Sequence, residues 1–181
     1  FMGVNFYSPT TVVAAGRQEE AAGAGWCVPR QEPDPVAERL GVVPVHHPQR
    51  ERTQTGWEID PEAFRQLLLR IHSDYGPLPL YVTENGAAFD DYVGPDGRPH
   101  DPDRIRYLHD HLEAVREAID GGVDIRGYFV WSLLDNFEWA QGYSRRFGLV
   151  WVDYPSGERI PKSSFDWYRR TVAANAIAER P

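Results

Sequence analysis

The fold is decided by the segment Ile125-Arg-Gly-Tyr-Phe-Val-Trp-Ser-Leu-Leu-Asp-Asn-Phe-Glu-Trp139. Its first part ends in a continuous apolar run, which predicts a strand that is buried on both faces, as in a parallel sheet. The segment also places two acids and two tryptophans at the end of this strand. In parallel barrels the ends of the strands carry the catalytic residues, so the segment predicts a site as well as a sheet.

Two more strands are predicted upstream, and a helix follows each of the three strands. The upstream strands are residues 1–7 and 79–84. Asp60 followed by proline is typical of a helix start, and Gly76 is typical of a helix end. Helices are predicted at residues 61–75, 105–119 and 163–177, and a small hairpin at residues 147–160.

The alternation of strands and helices predicts an α/β fold with parallel β/α units and right-handed crossovers. Two architectures fit this order: an open doubly wound sheet and part of a (β/α)₈ barrel. The sequence has neither a GxGxxG motif after a strand nor a P-loop, which argues against nucleotide-binding folds. A complete barrel needs about 250 residues and eight strands, and only three strands are predicted here, so a barrel would be present only in part.

Residues 8–56 are rich in Pro, Gly and Ala and lack periodicity, which predicts one long loop. Such a length is unusual for a bare connection, so we expect the loop to be functional or mobile. Residues 1–181 are otherwise expected to form a single part-barrel. Since the sequence begins with Phe1 inside a predicted strand, we expect further residues upstream of it.

Composition restricts the classes of function. The formal net charge of −8 argues against binding to nucleic acid. Without a run of 18 apolar residues no membrane span is expected, and the single Cys27 excludes an internal disulfide, so we expect a cytoplasmic location. Aromatic residues make up 13% of the chain, and Trp and Tyr are common in sugar-binding clefts because their flat faces stack on pyranose rings.

Five segments in order resemble the C-terminal part of retaining β-glucosidases of glycoside hydrolase family 1. They are GVNFYSP at 3–9, TGWEIDP at 55–61, TENG at 83–86, WSLLDNFEW at 131–139 and RFGLVWVD at 146–153. The resemblance implies strands 6–8 of a TIM (β/α)₈ barrel, hydrolysis of β-glucosides or short cello-oligosaccharides without a cofactor, and a cis peptide after Trp131.

The resemblance also implies roles for residues. Glu84 matches the nucleophile, which forms a glycosyl-enzyme that water then hydrolyses with retention. Tyr7 matches the tyrosine that orients this carboxylate, and Asn5 is expected to help to place it within the substrate site. The remaining matches are to substrate-binding residues around the sugar: Trp131, Glu138, Trp139, Phe147 and Trp57.

One departure from the family pattern concerns the acid/base. Retaining glycosidases need a second carboxyl group about 5–5.5 Å from the first, and in this family it belongs to an Asn-Glu-Pro motif that is absent here. Gln31-Glu32-Pro33 is similar in letters, but no strand precedes it, so we do not expect Glu32 to act as the acid. The chain alone is therefore expected to have little or no activity.

Other hypotheses concern binding and assembly. A noncatalytic carbohydrate-binding or self-assembling half-barrel is the alternative, because its outer strands would have open edges. We expect a homo-oligomer through these edges, or pairing with a missing N-terminal part. No metal site is expected: His46 and His47 are adjacent in a loop without acids at ligand spacing, and His109 and His111 are predicted to be solvated on a helix surface.

Overall fold

The computed structural model describes residues 1–28 and 35–180. In chain order its helices and strands are β1 (Met2–Asn5), β2 (Thr11–Ala14), α1 (Gln18–Gly23), α2 (Pro35–Leu40), β3 (Val42–Val45), α3 (Pro61–Tyr75), β4 (Leu80–Asn85), α4 (Pro102–Asp120), β5 (Ile125–Val130), β6 (Val150–Val152), β7 (Arg159–Pro161) and α5 (Ser163–Ala174). A one-turn 3₁₀ helix covers Trp139–Gln141.

The chain divides into two compact units, whereas the sequence predicted a single one for residues 1–181. The first unit consists of Phe1–Tyr7 and Arg52–Pro181, and the second is Ser8–Glu51. A division at these points is physically reasonable because each unit packs its own helices against its own strands.

The first unit contains a three-stranded parallel sheet in the order β1-β4-β5. Helix α3 connects the first pair of strands and α4 connects the second pair, so the predicted succession of strands and helices is confirmed as a parallel α/β arrangement. The carboxyl ends of the three strands consequently meet at one edge of the sheet. Strands β6 and β7 form a separate antiparallel hairpin, also as predicted.

The sheet is held by an apolar core on the face that α3 and α4 cover. Phe64 and Leu68 of α3, Val82 of β4 and Ala118 of α4 are fully buried there. Helix α3 starts as predicted, because the Asp60 carboxylate accepts a hydrogen bond from the backbone N–H of Ala63 at 2.9 Å. Burial of this face fixes the strand ends that carry the site.

Strand β5 is not buried on both faces, contrary to the prediction from its apolar run. The Phe129 side chain is 57% exposed. In the part of the chain that the structure describes, β5 pairs only with β4, so the outer side of β5 lacks the neighbouring elements that would bury it.

The prediction of a solvated His111 is wrong. His111 lies on the face of α4 that turns towards the sheet, one helical turn after Leu108, and it is fully buried. Its ring stacks on Tyr107 with centroids 3.9 Å apart and also contacts Phe64. His109 points elsewhere and is partly exposed.

The second unit corrects the prediction of one long loop over residues 8–56. Strands β2 and β3 form an antiparallel pair, and the short helices α1 and α2 flank it. These elements have only four to six residues each, too few to give a clear periodic pattern in the sequence. Glu32, the residue of the Gln-Glu-Pro look-alike, lies outside the described residues.

Candidate active site

Glu84 and Tyr7 meet at the carboxyl edge of the parallel sheet. The Tyr7 hydroxyl donates a hydrogen bond to Glu84 Oε2 at 2.6 Å, although 77 positions separate the two residues in the chain. Burial raises the pKa of the Tyr7 phenol well above its usual range, and the bond to Glu84 raises it further. The phenol therefore stays protonated at neutral pH and serves as a fixed donor to the carboxylate.

Two aromatic rings surround Tyr7. The Trp57 ring lies 5.4 Å from it, and the Phe147 ring lies 6.2 Å away in an edge-on arrangement. Phe147 is buried, whereas Trp57 is 40% exposed. Phe147 thus supports the tyrosine from within the fold, and Trp57 leaves part of its indole surface available to a ligand.

Glu138 and Trp131 form a second polar pair at the end of β5. The indole N–H of Trp131 donates to Glu138 Oε1 at 3.1 Å. Burial raises the pKa of the Glu138 carboxyl, the bond from Trp131 opposes this, and the negative charges of Glu84 and Asp135 add to the rise. Glu84 lies at the end of β4 and Glu138 follows the end of β5, and these two strands are neighbours in the sheet. The peptide between Trp131 and Ser132 is cis, as the family resemblance implied.

Trp139 and Asn5 are two further predicted site residues. The Trp139 side chain is 84% exposed, and its backbone has a φ of 47° at the start of the 3₁₀ helix. The Asn5 side chain accepts a hydrogen bond from the Thr83 hydroxyl at 2.6 Å, so that it orients a neighbour of Glu84 rather than Glu84 itself. The roles proposed for Asn5 and Trp139 towards a substrate remain predictions.

The dipeptide after Glu84 has functions that the sequence did not reveal, because Asn-Gly is also typical of turns. The Asn85 side chain is fully buried and makes three hydrogen bonds. At Gly86 an added Cβ atom would lie 1.8 Å from the backbone oxygen of Trp131. Only glycine permits this close approach between the ends of β4 and β5.

A group of six buried or partly buried charged residues was also missed, and we call it the ionic cluster. It consists of three acids and three cations: Asp91, Asp101, Asp135, Arg104, Arg146 and Lys162. Acids and bases that are dispersed along the chain carry no pattern in a sequence, and each would be predicted to be solvated. Their pairing became visible only when the fold brought them together.

The ionic cluster anchors the loop that carries Trp131 and Glu138. Within this loop Asp135 accepts hydrogen bonds from Arg146 at 2.6 Å, from Lys162 at 2.9 Å and from the backbone N–H of Gly148 at 2.9 Å. An added Cβ at Gly148 would lie 2.2 Å from the Asp135 nitrogen. The loop therefore has one tightly packed conformation, which fixes Glu138 three residues further on.

Within the described ranges no group of three or more His, Cys, Asp or Glu side chains is arranged to hold a metal ion. None of the helices in the same ranges is long and apolar enough to cross a bilayer. The arrangement at the sheet edge thus offers two carboxylates, neutral O–H and N–H donors, and indole surfaces. Such groups suit nucleophilic attack and hydrogen bonding to a polyhydroxylated ligand.

Comparisons with known proteins agree with this chemistry. Residues 1–177 match the sequence model of the family described as Glycosyl hydrolase family 1. A bifunctional β-D-glucosidase/β-D-fucosidase of Bifidobacterium breve is 48% identical over 95% of this chain and 36% of its own length.

Solved structures give the same result. The family 1 β-glucosidase of Thermotoga maritima superposes with a TM-score of 0.82 at 42% identity, over 98% of this chain and 35% of the other. The same kind of enzyme in complex with glucoimidazole superposes with a TM-score of 0.79 at 44% identity, over 96% and 34%. The chain therefore spans about a third of the length of these relatives.

Proposed function

Because the chain belongs to glycosyl hydrolase family 1, we propose that it is the part of a retaining β-glucosidase that supplies the nucleophile, Glu84. Its three parallel strands would correspond to strands 6–8 of the (β/α)₈ barrel. The observation that carries the proposal is the 2.6 Å hydrogen bond from Tyr7 to Glu84 at the carboxyl edge of the sheet. That edge is where barrel enzymes carry their catalytic residues.

The reaction proposed for Glu84 is a double displacement. A free Glu84 oxygen attacks the anomeric carbon, the bond from that carbon to the leaving oxygen breaks, and a glycosyl ester forms. Water then attacks the same carbon and gives up a proton to a base or to solvent, the ester bond to Glu84 breaks, and Glu84 is released as a carboxylate. Because the carbon is inverted twice, the sugar keeps its configuration. Tyr7 keeps the carboxylate oriented, and since it is a neutral donor it does not tie Glu84 into an ion pair.

Recognition of the sugar is proposed for the end of β5. Trp131 would provide a flat apolar surface under the ring, and Glu138 would accept hydrogen bonds from sugar hydroxyls. A carboxylate at this point would repel a phosphorylated sugar, which favours unphosphorylated β-glucosides as substrates. The exposed Trp139 and the half-exposed Trp57 would extend the surface to either side.

The proposed reaction also needs a general acid, which typically contributes 10²–10⁴-fold to the rate. The described residues offer no carboxyl group in the Asn-Glu-Pro context of the family. Ordinary glucosides, whose leaving groups need a proton, should therefore be hydrolysed very slowly by this chain alone. A donor with a leaving group that departs without a proton avoids this requirement and isolates the step assigned to Glu84.

The test uses 2,4-dinitrophenyl 2-deoxy-2-fluoro-β-D-glucoside, which traps a glycosyl-enzyme. We expect the 181-residue chain at high donor concentration to gain one fluoroglucosyl group, with peptide mapping locating it on Glu84. The Glu84→Gln variant should gain none, and Tyr7→Phe should react more slowly. A label on another residue, or equal labelling of Glu84→Gln, would contradict the proposal.

A second candidate is a noncatalytic half-barrel that assembles through its sheet edges. Over the described residues β1 and β5 each pair on one side only. Beside β5 lies an open groove of about 490 Å³ towards α5, with Phe129, Leu133 and Val172 exposed. Unpaired edges next to exposed apolar side chains favour association.

Sedimentation velocity over a range of concentrations tests this candidate. A dimer or larger species that dissociates in the Phe129→Glu variant would favour assembly through the groove. The Tyr75→Glu variant, which alters a more exposed aromatic residue on α3, is the matched control. A wild-type chain that stays monomeric while Glu84 is labelled would favour the first candidate.

A further inference from the structure

Asn85 lies directly behind the carboxylate that we assign as the nucleophile. Its side chain is fully buried, and its Nδ2 donates hydrogen bonds to the Phe6 backbone oxygen at 2.8 Å and to the Tyr107 hydroxyl at 3.1 Å. Its Oδ1 accepts a hydrogen bond from the Tyr128 hydroxyl. A buried amide whose hydrogen-bonding capacity is used by three different elements has a defined orientation.

These contacts support the backbone of the dipeptide Phe6-Tyr7. The Phe6 N–H donates to the Glu84 backbone oxygen at 2.9 Å, and Asn85 holds the Phe6 oxygen. The Tyr107 hydroxyl, which accepts from Asn85, donates in turn to the Tyr7 backbone oxygen at 3.3 Å. The dipeptide is thus held at three backbone atoms, two of them through Asn85.

The β1–β4 ladder alone does not supply this support. Its register shifts between Val4 and Asn5, immediately before the dipeptide. Beyond an irregularity of this kind the side chains depend on other contacts for their direction. Towards β5, the Asn85 backbone oxygen accepts a hydrogen bond from the Trp131 N–H at 2.9 Å. Asn85, which follows Glu84, therefore contacts the ends of both strands that neighbour β4.

We propose that Asn85, acting with Tyr107, is a positioning residue that sets the Tyr7 hydroxyl against Glu84. This inference rests on the proposed function of Glu84 as the nucleophile. Asn85 does not touch the reacting atoms, and its effect is transmitted through the backbone of residues 6 and 7. Replacement of Asn85 therefore misdirects Tyr7 and leaves the carboxylate less well oriented for attack.

The first test follows the Tyr7 hydrogen bond without any sugar. The chain is labelled with [¹³Cζ]tyrosine, the Tyr7 resonance is assigned from its loss in Tyr7→Phe, and its shift in Glu84→Gln marks the loss of the carboxylate acceptor. In Asn85→Asp the two N–H donors of the amide are replaced by an oxygen that carries at most one hydrogen, so the bonds to the Phe6 oxygen and to the Tyr107 hydroxyl cannot both be donated. We expect the Tyr7 resonance to move towards its position in Glu84→Gln, whereas an unmoved resonance in a folded variant overturns the proposal.

A matched pair of variants keeps the test decisive if Asn85→Asp does not fold. Tyr107→Phe removes a hydroxyl that donates to the backbone oxygen of Tyr7. Tyr168→Phe removes a hydroxyl that donates to the backbone oxygen of Tyr128 at 3.1 Å, which is the same kind of bond at another place. We expect only Tyr107→Phe to shift the Tyr7 resonance, and equal shifts or none in both variants overturn the proposal.

The second readout is the rate at which the fluoroglucoside labels Glu84. A displacement of about 1 Å at a reacting group can cost about 100-fold in rate, and we expect Asn85→Asp or Tyr107→Phe to lower the maximal rate by about 10- to 100-fold. The donor concentration at half-maximal rate should change little, because neither residue lies on the sugar surface. A wild-type chain that is not labelled contradicts the function of Glu84, while the sugar-free NMR shift still decides the role of Asn85.

Discussion

Two clusters of buried polar side chains in the first unit are paired in different ways, one by opposite charges and the other by hydrogen bonds between neutral groups. The ionic cluster neutralises three acids with three cations, and Lys162 alone contacts Asp91 at 2.5 Å and Asp135 at 2.9 Å. The second group, which we call the neutral cluster, consists of Asn85, Tyr107, Tyr128 and His111, and it uses amide, phenol and imidazole groups. Both clusters connect segments that are distant in the sequence.

The difference shows where charged side chains lie relative to Glu84, the carboxylate proposed as the nucleophile. The ionic cluster lies behind the loop of Glu138, where it fixes the backbone. The neutral cluster lies behind Glu84, where a cation would pair with the carboxylate and lower its nucleophilicity. In the described part of the chain neither Glu84 nor Glu138 has a cation within ion-pair distance, and both receive neutral O–H or N–H donors.

The largest expected effect comes from removal of the central cation of the ionic cluster. Burial and the charge of Arg104 lower the pKa of Lys162, whereas Asp91 and Asp135 raise it. Lys162→Met leaves two buried carboxylates short of a cation, and removal of one partner of a buried ion pair costs about 3–5 kcal/mol. Urea unfolding followed by circular dichroism should show this loss of free energy of unfolding.

The control for this variant is Arg65→Gln, which breaks an exposed ion pair with Glu62. Pairs of this kind contribute little because solvent screens them, so the urea midpoint should hardly change. If Lys162→Met unfolds at nearly the same urea concentration as Arg65→Gln, the ionic cluster does not anchor the fold.

The next largest expected effect is a pH dependence of stability that arises from His111 in the neutral cluster. Burial lowers the pKa of His111 to about 4, and the hydrogen bond to the Tyr107 oxygen only partly opposes this. In the unfolded chain His111 takes up a proton as the pH falls through about 6.5, whereas in the folded chain it does so only near pH 4. The free energy of unfolding therefore falls by about 3 kcal/mol between these two pH values. Stability should thus rise with pH across this window.

The variant that isolates this effect is His111→Phe, which keeps an aromatic ring between Tyr107 and Phe64 but cannot titrate. The difference in free energy of unfolding between the wild-type chain and the variant, measured by urea unfolding from pH 4 to 7, cancels the contributions of the surface acids. A difference that stays constant with pH would mean that His111 is protonated equally in both states.

A smaller effect is expected at the glycine between Glu84 and Trp131. Gly86→Ala forces the ends of β4 and β5 apart because the new Cβ atom meets the Trp131 oxygen. Overpacking in a close-packed region typically costs about 1–3 kcal/mol, and thermal unfolding should detect this. Gly23→Ala is the control, since an added Cβ atom there meets nothing within 4 Å. An equally stable Gly86→Ala variant would show that the strand ends are not tightly packed.

The two clusters also mark the limit of what the sequence could predict. Strands and helices of the first unit followed from apolar periodicity, and the Tyr7–Glu84 contact followed from the family resemblance. The sequence does not indicate the contacts of Asn85, because an amide that bonds with distant tyrosines leaves no periodic pattern. Asp135 was likewise noted only as an acid near two tryptophans, since its partners come from segments up to 27 positions away.

The smallest expected effect tests a carboxylate that belongs to neither cluster. Asp60 caps α3 by accepting a hydrogen bond from the Ala63 N–H, so its charge faces a helix N-terminus. Loss of an N-cap typically costs about 1 kcal/mol, and Asp60→Ala should lower the free energy of urea unfolding by this amount. Asp60→Ser can still accept the bond and should recover most of it. If serine and alanine destabilise the chain equally, the charge of Asp60 stabilises α3 more than its hydrogen bond does.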